Sequence, residues 1–96
     1  MKEILPIGSV VTLNGGNNKI MIIGYLPVTE DGKLFDYNGC IWPLGVLSSD
    51  RTLLFNHEQI VDVVSKGYEN EEQQEFAKKL KDAYEKSKLS NDNKGE

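Results

Sequence analysis

His57 is the only histidine in the chain, and Glu58 and Asp62 lie close to it in sequence. An imidazole beside carboxylates is the raw material of a metal site or of acid–base catalysis. A metal centre needs about three or four convergent ligands, however, and carboxylates neighbour one another by chance. At the start of a helical turn the ring is expected to satisfy local backbone or to stand at the surface. Cys40 is the only cysteine. To act as a nucleophile it would need a base beside it and a means of stabilising thiolate. Its neighbours Gly39, Ile41 and Trp42 supply neither, so a buried thiol packed as a small hydrophobe is expected. A lone cysteine also excludes an intramolecular disulfide and a four-cysteine zinc site.

The remaining polar motifs are equally spare. Asn14-Gly15-Gly16-Asn17-Asn18-Lys19 lacks the spacing and the lysine–hydroxyl pair of a phosphate-binding loop, and a hairpin turn explains it. Asp36, Asp50, Glu58 and Asp62 show no spacing that demands paired acid and base work. No catalytic residue, metal or cofactor is expected, and function is expected to rest on a surface. Aromatic side chains give large contact area at little rotamer cost. The candidate protein-binding residues are therefore Phe35, Tyr37 and Trp42 in one extended run, and Phe76, Leu80 and Tyr84 on one helical face. Trp42 or Tyr37 is expected to be partly exposed near Pro43.

These residues need a scaffold, and 96 residues allow one small domain. Hydrophobic residues, 39% of the chain, are concentrated before Tyr68. Eleven Lys and Arg against fifteen Asp and Glu give a formal charge of −4. Wrapping nucleic acid needs a concentrated basic stripe, so nucleic acid is not expected as a partner. No run approaches membrane-spanning length and Met1 to Ile7 lacks the apolar stretch of a signal peptide, so no membrane partner and a cytoplasmic location are expected.

β-Branched residues mark Ser9 to Leu13 as a strand, and Lys19 to Leu26 is the strongest strand pattern. In the second, Ile20, Ile22 and Leu26 would face one way and Met21, Ile23 and Tyr25 the other. Leu34 to Trp42 reads as extended, with Gly39 suggesting a bulge or bend, and Thr52 to Phe55 as a further strand. Asn56 with Gln59 resembles a capping pair. A helix running from there to Lys66 would align Ile60, Val63 and Val64; the density of β-branched residues favours instead one helical turn over His57 to Gln59 and then a closing strand over Val61 to Lys66. Asn70 with Gln73 repeats the capping signal before a long helix-forming run. The resulting fold class is α+β: a small SH3-like β-barrel or strongly curled antiparallel sheet with a C-terminal helix. The expected divisions are a β-rich core over 1–68, an amphipathic helix over 69–88 and a disordered tail over 89–96.

Four blocks carry a family resemblance: Leu5-Pro6-Ile7-Gly8-Ser9-Val10-Val11, Lys19-Ile20-Met21-Ile22-Ile23-Gly24-Tyr25, Asp36-Tyr37-Asn38-Gly39-Cys40 and Leu54-Phe55-Asn56-His57-Glu58-Gln59-Ile60. In this order, with Gly67-Tyr68 and acidic residues after them, they resemble a small Gram-positive family, uncharacterised domain number 4176, over about residues 5 to 76. The resemblance implies an accessory protein of LXG toxins exported by type VIIb secretion, a chaperone or targeting factor bound to its cognate toxin or to a secretion component. It implies no catalytic residues. Two other readings stand beside it: an immunity protein that neutralises a toxin domain, and a small enzyme or nucleic-acid-binding barrel. A homodimer through a sheet edge or the Phe76 to Tyr84 stripe is also open.

Overall fold

The computed structural model describes residues 3–48 and 52–94, with side chains described as far as Lys86. Contacts divide the chain into a body, Leu5–Tyr68, and a second unit made of Met1–Ile4 with Glu69–Glu96. The body holds five strands: β1 (Val10–Leu13), β2 (Lys19–Tyr25), β3 (Tyr37–Trp42), β4 (Leu53–Phe55) and β5 (Ile60–Ser65). A 3-10 turn, His57–Gln59, precedes β5, and the second unit contains α1 (Glu71–Lys94).

The sheet runs β4-β3-β2-β1-β5, and each of its ladders is antiparallel. The expected barrel or strongly curled sheet is not formed. β4 and β5 stand at opposite edges, so the sheet is open. The strand expected to close a barrel pairs with β1 instead. Closure would require β5 to run a second ladder along β4, and β4 is only three residues long.

Most of the core lies on one face of this sheet, with Val10 and Cys40 buried on the other. Val11 pairs with Ile20, Ile20 with Ile41, and Ile22 with Gly39; cross-strand partners share a face. Val11, Ile22, Tyr37 and Phe55 are essentially inaccessible. Complete burial of such a side chain contributes about 1.5–3 kcal/mol, so these few residues dominate the stability of the body.

A bulge changes which residues join them. Ile22 opposes Gly39 but Gly24 opposes Asn38, leaving Ile23 as an extra residue in β2. Beyond it Tyr25 pairs with Tyr37, on the side of Ile20 and Ile22. Simple alternation assigns Tyr25 to the side of Met21 and Ile23; the inserted residue moves it across. The Tyr25 and Tyr37 rings stand 6.0 Å apart, and Tyr37 stacks on Phe55 at 5.5 Å.

The loops close around this sheet. Gly8 N–H donates to Ile22 C=O and Ile22 N–H to Ser9 C=O, both at 2.8 Å, which continues the β1–β2 ladder backwards. The buried Ser9 hydroxyl accepts Gly67 N–H at 3.0 Å. Gly67 lies so close to this segment that a Cβ there would fall 2.1 Å from Ile7 O.

In the second unit, Asn70 Oδ1 accepts Gln73 N–H at 2.9 Å, the capping bond that the sequence announces. The helix continues to Lys94. The tail expectation for 89–96 falls on residues whose side chains, and for 95–96 the backbone as well, lie outside the described residues. No helix of the described residues is long and apolar enough to cross a membrane.

Candidate protein-binding surfaces

His57, Asp36 and Tyr37 meet, but their contacts are those of a structural joint. His57 backbone N–H donates to the Asp36 carboxylate at 2.8 Å, and Asp36 backbone N–H donates to Asn56 Oδ1 at 3.1 Å. Asn56 N–H in turn donates to Gln59 Oε1 at 2.8 Å. These bonds tie the 3-10 turn to the entrance of β3. His57 Nδ1 lies 2.8 Å from the Tyr37 hydroxyl, which is buried and accepts Leu5 N–H at 3.2 Å. Cys40 is buried as well. It alternates with Tyr37 and Gly39 along β3 and so occupies the other face of the sheet. The thiol and the imidazole are thereby separated by the sheet itself. No cluster of three metal-ligating side chains occurs among the described residues; Asp50 lies outside them.

Tyr37 corrects the sequence expectation of a recognition residue. It is 0% exposed, because β3 is an interior strand and the ring sits between Tyr25 and Phe55. Tyr25 donates its hydroxyl proton to Leu5 C=O. Burial pushes the Tyr25 hydroxyl pKa above its ordinary value, and a backbone bond with Ile7 pulls part of the way back.

The other candidates are reachable. Trp42, at the end of β3 opposite Lys19, is 47% exposed. Phe35 is half-buried, its ring 5.2 Å from Lys33 Nζ. On α1, Phe76 is 51% exposed while Leu80 and Tyr84 are half-buried. The second unit also has a pocket of about 240 Å³ lined by residues including Ile4, Gln73, Ala77 and Lys81. Gln73 Oε1 is buried there with no partner among the described residues.

A further set of exposed apolar residues was missed by the sequence reading. After Trp42, the loop places Leu44, Val46 and Leu47 in solvent, and Leu53 of β4 is also exposed. Gly45, at φ +78°, turns the loop in a conformation that glycine adopts without strain, and its N–H donates to Ile41 C=O at 2.9 Å. The signal was an apolar run, Leu44-Gly45-Val46-Leu47, without strand or helix periodicity and bounded by turn residues. A second exposed set, Val61, Val63 and Val64, lies on β5. Register shifts against β1 make Val61 and Val64 extra residues in the ladder. Such bulges disrupt the template that an edge strand otherwise offers.

Residues 4–76 match the model of the family described as Domain of unknown function (DUF4176). The chain belongs to this family. No curated protein and no solved structure matches the chain. The family segment contains the whole sheet and the exposed residues Trp42, Leu44, Val46 and Leu47, and it extends into α1 as far as Phe76. Leu80 and Tyr84 lie beyond it.

Proposed function

We propose that the protein is a non-enzymatic accessory factor that binds another protein, a chaperone or targeting factor for an LXG-type toxin exported by type VIIb secretion. The observation that supports binding is the exposure of Trp42 and of Leu44, Val46 and Leu47 in the loop that follows it. Large apolar side chains exposed along one short segment are a feature of protein-contact sites, and tryptophan is enriched at interface cores and hot spots. The toxin client is what the resemblance of the sequence blocks implies; membership of the family is compatible with an accessory role. Binding would cover an apolar surface of the client before export.

Co-expression with a neighbouring LXG toxin followed by size exclusion is the direct test. The two chains are expected to co-elute, and the Leu44→Asp, Leu47→Asp double variant is expected to lose the complex while keeping its own unfolding transition. Separate elution of the wild-type chains, or a complex indifferent to these substitutions, would reject this surface as the binding site. Loss of toxin export without loss of recipient protection distinguishes a chaperone from an immunity protein.

A further inference from the structure

We propose that His57 is a proton-sensitive latch on the amino-terminal segment of the body, acting through the Tyr37 hydroxyl. Two tyrosines hold the backbone of one residue. Leu5 N–H donates to Tyr37 Oη at 3.2 Å, and Leu5 C=O accepts the Tyr25 hydroxyl. Tyr37 is inaccessible and Leu5 only 5% exposed, so their polar groups depend on protein partners for hydrogen bonds.

The Tyr37 oxygen also lies 2.8 Å from His57 Nδ1. A hydroxyl carries one proton to give and lone pairs to receive. With the imidazole neutral and its proton on Nε2, Tyr37 donates to Nδ1 and accepts from Leu5. Donors and acceptors then match along the chain Leu5–Tyr37–His57. A protonated imidazole carries N–H on both nitrogens. Nδ1 then ceases to accept the Tyr37 proton, and its own N–H competes with Leu5 for the same oxygen. Imidazole changes its charge between about pH 5 and pH 8, where no other side chain of ordinary pKa does so. Proton uptake by His57 therefore reverses the direction of the Tyr37–His57 bond and loosens the hold on Leu5.

Titratable groups among the described residues flank the latch. Asp36, at the entrance of β3, binds the backbone N–H of His57 at 2.8 Å. Tyr37 belongs to β3, Tyr25 stands behind it on β2 with rings 6.0 Å apart, and Glu58 is exposed on His57's own turn.

Nuclear magnetic resonance of the ¹⁵N-labelled full chain tests the latch. The His57 ring nitrogens and the Leu5 amide protection factor would be followed from about pH 8 down to about pH 5. At the upper end Nδ1 is expected to be the bare nitrogen. Leu5 protection is expected to fall severalfold in step with His57 titration. In His57→Phe it is expected not to follow pH, and in Tyr37→Phe to be low at every pH. A proton on Nδ1 in the neutral form, or Leu5 protection that stays flat while His57 titrates, would overturn the proposal. The wild-type titration decides the matter even if a variant fails to fold.

Discussion

Gly39 shows how one missing side chain sets the packing of the body. A Cβ built there would stand 2.6 Å from Ile20 Cγ2, 2.9 Å from Met21 O and 2.9 Å from Phe55 Cε1. One of these is a backbone atom held in the β2–β3 ladder, so a side chain cannot be accommodated by a rotamer change alone. Gly39→Ala should destabilise the body by about 1–3 kcal/mol, read as a lower urea midpoint with an unchanged slope. An unchanged midpoint would mean that β3 has room to shift. The sequence marked Gly39 as a place of irregularity, but the extra residue lies across the ladder at Ile23. A glycine signals close approach without saying which neighbour approaches, since that neighbour is chosen by strand pairing.

At the scale of elements, local chemistry was the best guide. The turn at Asn14–Asn18, the helical turn before β5 and the cap at Asn70 depend on residues within a few positions of one another, so they were legible. α1 is poor in apolar residues and rich in lysine and glutamate, so its first turn matters more than it would in a deeply packed helix. Asn70→Ala should lower helix stability by about 0.5–2 kcal/mol. The expected signature is a reduced helical circular-dichroism signal with Trp42 fluorescence unchanged; retention of full helicity would show that the Asn70–Gln73 bond contributes little. Edge strands were less legible. β5 and a central strand share the same β-branched composition, and only the pairing partner distinguishes them.

For the whole molecule, the division at Tyr68 separates a sheet with a core from a largely charged helix. Body residues Val11, Ile20, Ile22, Tyr37, Cys40 and Phe55 are all buried. A chain ending at Tyr68 is expected to keep the dispersed amide spectrum of a folded sheet and a cooperative urea transition; a collapsed spectrum would show that the body needs the segment beyond. Such a fragment is close to the size at which burial only just exceeds chain entropy, which makes this a stringent trial. The amino-acid order alone outlined the first strands, the turns and the long helix, because periodicity, glycine placement and capping act between near neighbours, while the segment at β5 read as helix or strand, a choice that its pairing with β1 decides. It also marked Trp42 and Phe76 as aromatic side chains available for contact. Tertiary structure decided that the sheet stays open, that Tyr37 turns inward and Tyr25 joins it, and that Leu44, Val46 and Leu47 stand in solvent. Those outcomes depend on which strand pairs with which and on a single extra residue in β2, and such long-range choices leave no periodic trace in the chain.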